Sequence, residues 1–167
     1  NYSNPTFVDI DNDGDMDAFT GEGEGKIYFY KNTGDNSSPT FTEQTGNDNP
    51  FNGADVGWTS KPTFVDIDND GDMDAFIGEY DGVINFYKNT GDNSSPTFTE
   101  QTGANNPFDG VNVGFSATPT IVDIDNDSGI DIFIGESEGV VFYYEYIAGG
   151  VFLSGTPTND HVGANDV

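Results

Sequence analysis

The sequence predicts an all-β protein built from three repeated units, and three observations carry that expectation. Pro5, Pro62 and Pro119 open equivalent segments 57 residues apart, and residues 5–61 match 62–118 at about three positions in four. Within each copy, short β-branched and aromatic runs alternate with Gly, Asn, Asp and Pro clusters, as strands alternate with tight turns. Helix has little support, because the chain has one Leu (Leu153), 22 Gly and no apolar pattern at helical spacing. The units run 1–61, 62–118 and 119–167, the last divergent and shortened.

Each copy reads as four short strands. Residues 6–10 are apolar and β-branched and lead directly into an acidic loop. A second strand at 17–21 ends in the turn Gly21-Glu22-Gly23-Glu24-Gly25. The third, 27–31, is rich in Tyr and Phe; turn chemistry fills 32–39, and 40–44 makes the fourth. Residues 45–61 form a Gly-, Asn- and Pro-rich connector to the next copy. Residues 29–46 recur unchanged at 86–103, whereas the differences cluster in the second-to-third-strand hairpin and the connector. The third copy holds from Pro119 to about Tyr144; 151–153 is expected to replace its fourth strand, and 156–167, with His161, to form an irregular end cap.

The acidic loop carries the chemistry. It reads Asp9-Ile10-Asp11-Asn12-Asp13-Gly14-Asp15-Met16-Asp17 and recurs with Asp66, Asp68, Asp70, Gly71, Asp72 and Asp74 in the same places. The third version keeps Asp123, Asp125, Asp127 and Asp131 but puts Ser128 where Gly stood and Gly129 one place later. Carboxylates at positions 1, 3, 5 and 9 suit a hard cation such as calcium, which takes about six to eight oxygens at roughly 2.3–2.6 Å. Gly at position 6 lets the backbone turn sharply and offer a carbonyl at position 7. Two carboxylates ~4 Å apart repel by about 4 kcal/mol at an effective dielectric of 20, so without a cation the loops are expected to be strained or open. The third site is expected to be weaker or differently shaped, since Ser pays for a positive φ that Gly adopts freely. An EF-hand is excluded: position 12 is Thr20, Ile77 or Ile134 rather than Glu, and the flanks are strands.

The formal charge is −26, with four Lys and no Arg, and fourteen of the thirty acidic residues lie in the three loops. That balance argues against nucleic acid and anionic membrane surfaces as partners. With no Cys there is no disulfide framework, zinc-thiolate site or cysteine nucleophile. No run of residues is apolar and long enough to insert in a membrane, and the chain, opening nearly in frame at Asn1, reads as a mature product or a piece of something longer.

The loop, its flanking strands and the period, with Phe-Ile-Gly-Glu-Tyr-Asp-Gly at 76–82 and Val-Ile-Asn-Phe-Tyr-Lys-Asn-Thr-Gly at 83–91, resemble the FG-GAP/VCBS repeats, the blades of integrin-α-like β-propellers. The resemblance covers 5–155. It implies four-stranded antiparallel blades with calcium held between the first two strands. The ligands it implies are the side chains of Asp9, Asp11, Asp13 and Asp17 with the Asp15 carbonyl, and those of Asp66, Asp68, Asp70 and Asp74 with the Asp72 carbonyl. The third set is Asp123, Asp125, Asp127 and Asp131 with the Gly129 carbonyl. The side chains of Asp15 and Asp72 are expected to face water. Propellers have ~4–8 blades, so three make an incomplete ring or open array, completed by copies of the chain or by adjoining blades of a longer one.

The function expected is an extracellular, calcium-binding structural or adhesive module, self-assembling into a ring or fibre, and not an enzyme. The alternative is a calcium-dependent carbohydrate-binding module, appended to a larger secreted enzyme, that takes cell-surface glycans between blades at Trp58, Phe115 and Tyr80. The competing role for Trp58 and Phe115 is as wedges packing one blade on the next. Tyr28, Phe29, Tyr30, Phe86, Tyr87, Tyr143 and Tyr144 are expected to fill the inter-blade space. The recurring pairs Glu22/Glu24, Glu79/Asp81 and Glu136/Glu138 read as solvated turn residues, and His161 as solvent-facing. Asn1, Asn36 and Asn93 fit the N-glycosylation pattern.

Overall fold

A computed structural model describes residues 3–124, 129–147 and 151–154. Twelve strands follow the predicted order: β1 (Ser3–Val8), β2 (Asp17–Glu22), β3 (Ile27–Asn32), β4 (Phe41–Gln44), β5 (Lys61–Val65), β6 (Asp74–Gly78), β7 (Ile84–Asn89), β8 (Phe98–Gln101), β9 (Thr118–Val122), β10 (Asp131–Gly135), β11 (Val141–Ile147) and β12 (Val151–Ser154). The only helical pieces among the described residues are 3-10 turns at Gly46–Asp48 and Gly103–Asn105, each in a connector. The strands form three antiparallel meanders, β1-β2-β3-β4, β5-β6-β7-β8 and β9-β10-β11-β12, which do not join into one ring. The fourth strand of the last unit is β12, where the sequence placed it.

No sheet buries a face by itself; the core lies between sheets. One cluster joins Val8, Phe19, Ile27 and Phe29 of the first sheet, with Ile10 of its acidic loop, to Ala75, Ile77 and Tyr87 of the second. The other joins Ile67, Phe76, Ile84 and Phe86 to Ile132, Ile134 and Tyr144. Alternation along β6 explains how one strand serves both, with Ala75 and Ile77 facing one way and Phe76 the other. The wedge in each interface is a connector phenylalanine, Phe51 or Phe108, held by the 3-10 turn and by Asn49 and Asn106, whose Nδ2 atoms donate to the Ile27 and Ile84 carbonyls at 2.9 and 3.0 Å. Trp58 and Phe115, the expected wedges, are 73% and 55% exposed. They lie on turns with a positive φ at the next residue (Thr59, +59°; Ser116, +66°), which carry them past the interface. Tyr28 is likewise exposed, on the outer face of the first sheet.

Each connector is stitched to the β2–β3 or β6–β7 turn before it. Val56 and Val113 donate to the Gly25 and Gly82 carbonyls at 3.1 and 3.0 Å. The approach is so close that a Cβ on Gly82, at φ +85°, would lie 1.7 Å from the Gly114 oxygen. Gly139, at the same φ, would meet nothing within 4 Å. Gly82→Ala is therefore expected to lose at least about 2 kcal/mol through strain plus backbone displacement, and Gly139→Ala only about 1 kcal/mol through strain. Urea melts of the two variants check the difference.

The glutamates that open these turns are not simply solvated, contrary to the sequence expectation: Glu79 is buried, and Glu22 and Glu136 are half-buried. Glu79 is 6% exposed and accepts from the Asp81 and Val83 amides at 3.0 and 3.3 Å. Glu136 accepts from Glu138 and Val140 at 2.9 and 2.8 Å, and Glu22 from Glu24 and Lys26 at 2.9 and 3.2 Å. A carboxylate here satisfies turn amides that no strand partner reaches. Glu24, Asp81 and Glu138 do remain exposed.

Candidate metal centres

The acidic loops join β1 to β2 and β5 to β6, all at one end of the sheets. Gly14 and Gly71 take φ of +94° and +96°, the turn their position called for. Asn12 and Asn69 are also left-handed, at +55° and +59°, a conformation Asn tolerates better than most residues. Asp9 tightens the first loop: its two carboxylate oxygens accept from the Asp13 and Gly14 amides at 3.2 and 3.0 Å. Asp66 does the same for Asp70 and Gly71 at 3.1 and 3.0 Å. One carboxylate oxygen from each of Asp9, Asp11 and Asp13 falls within 4.8 Å of the others, as for Asp66, Asp68 and Asp70.

Asp17 and Asp74 close the loops from the first residue of β2 and β6. Both are buried, with one oxygen accepting the backbone N–H of Asn32 or Asn89 at 2.7 Å and the other without a hydrogen-bond partner. Asp11 Oδ1 and Asp15 Oδ1 are also buried and without a partner. Orphaned anionic oxygens gathered in one loop are a poor arrangement by themselves and a good one around a cation. The Asp15 side chain thus does not simply face water.

Asn32 and Asn89 are essential parts that the sequence reading missed. Besides holding Asp17 and Asp74, their side-chain oxygens accept from Gly34 and Thr40 at 3.1 and 2.9 Å, and from Gly91 and Thr97 at 3.0 and 2.9 Å. Each pins the turn after the third strand beside the acidic loop. Lys31 and Lys88 were missed as well. Lys31 pairs with Asp11 and reaches Asp13 at 3.6 Å; Lys88 pairs with Asp68 and reaches Asp70 at 3.7 Å. The chain thus supplies an ammonium to the first and second loops, which offsets part of the repulsion among their carboxylates.

Burial pushes the Asp17 and Asp74 carboxyls up to about 6, and neighbouring loop carboxylates add to it. Desolvation and Asp13 raise Asp15, desolvation and Asp70 raise Asp72, whereas the Lys88 hydrogen bond lowers Asp68. A carboxyl with a raised folded pKa binds protons more readily folded than unfolded, so its stabilising contribution grows as pH falls from about 6 toward the ordinary ~4. In chelator, the melting temperature is expected to rise from pH 7 to pH 5, and Asp17→Asn/Asp74→Asn to flatten that slope. Calorimetry at the two pH values checks it.

The third loop differs. Asp125, Asp127 and Ser128 lie outside the described residues, as does His161. Asp131 is buried like its counterparts, but both its oxygens are engaged, by Tyr143 Oη at 2.8 Å and the Ile124 amide at 2.9 Å. Position 145 holds Glu145 where the other copies have Lys31 and Lys88.

Residues 9–77 match the model of the FG-GAP-like repeat, a span that runs from the first loop through the second and into β6. No curated protein matches the chain.

Proposed function

We propose that this chain, in which residues 9–77 match the FG-GAP-like repeat, is an extracellular calcium-binding structural or adhesive module without catalytic activity. The observation that carries the reading is the set of orphaned buried oxygens, Asp11 Oδ1, Asp15 Oδ1, Asp17 Oδ2 and Asp74 Oδ2, in loops where one carboxylate oxygen each of Asp9, Asp11 and Asp13, or of Asp66, Asp68 and Asp70, lie within 4.8 Å of one another. Calcium would sit among the side chains of Asp9, Asp11, Asp13 and Asp17 with the Asp15 carbonyl. The second ion would take Asp66, Asp68, Asp70 and Asp74 with the Asp72 carbonyl. Lys31 and Lys88 would leave their carboxylates as the ions bind. A third ion at Asp123, Asp125, Asp127, Asp131 and the Gly129 carbonyl would be held more weakly, because Asp131 is already satisfied. Calcium titration calorimetry tests the reading: two equivalents are expected, one in Asp17→Asn, and no heat in the parent protein would sink it.

Exposed Trp58, with Tyr80 and Phe115 at 5.5 Å between ring centroids, supports a second reading, carbohydrate binding. These aromatics lie at the connector end of the sheets, opposite the acidic loops, so sugar binding there would not depend on calcium. A glycan array in calcium and in chelator separates the two readings: signals equal in both would support an aromatic sugar platform, and none at all would remove it.

A further inference from the structure

The two outer sheets each expose one half of an interface that is buried on both sides of the middle sheet. In the second sheet, Phe64, Tyr87 and Phe98 close on the Phe51 wedge, with Phe64 and Phe98 rings 6.0 Å apart at 57°. Their counterparts in the first sheet are Phe7, Tyr30 and Phe41, and the Phe7 and Phe41 rings stand 6.1 Å apart at 59°. The receiving face is thus already formed, yet Phe7 is 59% and Phe41 44% exposed. At the other end, Val122, Ile124 and Val141 are 39%, 57% and 46% exposed. Their counterparts in the first unit, Val8, Ile10 and Ile27, are 7%, 2% and 3% exposed because the second sheet covers them.

We propose that the third sheet of one copy docks on the first sheet of another, head to tail, reproducing the internal sheet-to-sheet interface, and that two copies close a ring of six sheets. This deepens the structural-module reading by naming the partner and its surface. The occupant is a second copy because that copy presents the complementary residue set in the same register. Among the described residues, nothing else offers both halves. The segment after β12, whose counterpart in the other two units carries the wedge, lies outside the described residues.

Closure follows from how the sheets are arranged. The first strands β1, β5 and β9 neighbour one another and line one open recess of about 410 Å³, with Asn4, Lys61 and Thr118 in equivalent places. Lys61 Nζ bridges across it to the Ser116 carbonyl and hydroxyl at 2.7 Å and to Thr118 Oγ1 at 2.8 Å, and Asn4 Nδ2 donates to the Ser60 carbonyl at 3.2 Å. Sheets with their first strands gathered on one recess radiate from it, so adding sheets turns the array back on itself. Six falls within the ~4–8 blades that closed rings use. A two-copy ring makes two docking contacts in one association and leaves neither face open, whereas a linear chain always leaves one of each. The charge of −26 per copy opposes the contact, and about 0.15 M salt, with a screening length near 8 Å, removes most of that opposition.

Light scattering on a sizing column at physiological salt, in calcium and in chelator, tests this. The parent chain, 17.9 kDa as a monomer, is expected at twice that mass. Phe7→Glu and Val141→Lys, each at an exposed position, are each expected to give folded monomers by circular dichroism. Mixed together they are expected to restore the doubled mass, because the third sheet of Phe7→Glu and the first sheet of Val141→Lys are both intact. A mixture that stays monomeric overturns head-to-tail pairing, and growing polymers overturn closure at two copies. A parent monomer at every soluble concentration overturns the proposal and assigns the exposed faces to a different partner. Calcium binding is read separately by melting: a doubled mass with calcium-insensitive melting defeats the metal reading alone, and a monomer with calcium-dependent melting defeats the ring alone.

Discussion

Phe51→Ala is expected to destabilise the protein by about 4 kcal/mol, in the range of roughly 3–5 kcal/mol for a buried aromatic truncated in a core that cannot collapse around the gap. Phe51 is 3% exposed and belongs to the connector, yet both sheets depend on it. It stacks on Phe98 at 4.3 Å and meets Tyr87 and Phe19 edge-on at 5.7 and 5.8 Å. Those rings are fixed by their own strands and cannot move inward to fill the space. Aromatic pairs of this geometry add about 0.5–1.5 kcal/mol each beyond area burial, so the loss should lie toward the upper part of the range. At this chain length each kcal/mol lowers the melting temperature by roughly 2–4 °C, and a drop of about 12 °C is the expected reading. Trp58→Ala, seven residues of sequence away from the wedge and mostly exposed, should stay within about 0.5 kcal/mol. Urea melts of both variants decide the matter; equal losses would mean that the connector is not what joins the sheets.

Position within the connector was what the sequence did not reveal. A period of 57 residues, turn chemistry and alternating apolar residues were enough to place every strand to within about three residues, because each signal is local. A linear reading puts the wedge at Trp58, whereas the interface takes Phe51. Which one enters the interface depends on a 3-10 turn, two asparagine side chains and a strained residue at Thr59, none of which has a periodic signature. A weaker clue was present: Asn49-Pro50-Phe51 recurs intact as Asn106-Pro107-Phe108, whereas Trp58 changes to Phe115.

The acidic loop was legible for the same reason as the strands, since its carboxylates and glycine are spaced in one short stretch. Asn32 and Lys31 reach it from the third strand across a hairpin, and Glu22 folds back onto its own turn. Sequence distance hides contacts of that kind unless pairing register is known. The register shows them at once: Ala18 lies opposite Tyr30, which puts Asp17 beside the end of β3.

Calcium should raise the melting temperature by about 10 °C, and Asp74→Asn should change both ends of that comparison in opposite directions. At ~1 mM calcium and dissociation constants of ~10⁻⁴–10⁻⁵ M, each site adds roughly 1.4–2.7 kcal/mol, so two sites add about 3–5 kcal/mol. That is a large share of a stability of ~5–15 kcal/mol. Asp74 is 1% exposed and desolvation raises its carboxyl to about 6, so in chelator the charge at neutral pH opposes folding. Asparagine keeps an oxygen for the Asn89 amide, now at 2.7 Å from the carboxylate, while removing the charge. The metal-free variant should therefore melt higher than the metal-free parent. In calcium it should melt lower, because the second loop has lost the carboxylate that lies deepest in it. The crossing separates a metal ligand from a merely buried acid: neutralising a buried acid that binds nothing would raise the melting temperature in both conditions, and neutralising one whose charge supports the fold directly would lower it in both. Scanning calorimetry of the two proteins in calcium and in chelator gives the four temperatures that the comparison needs.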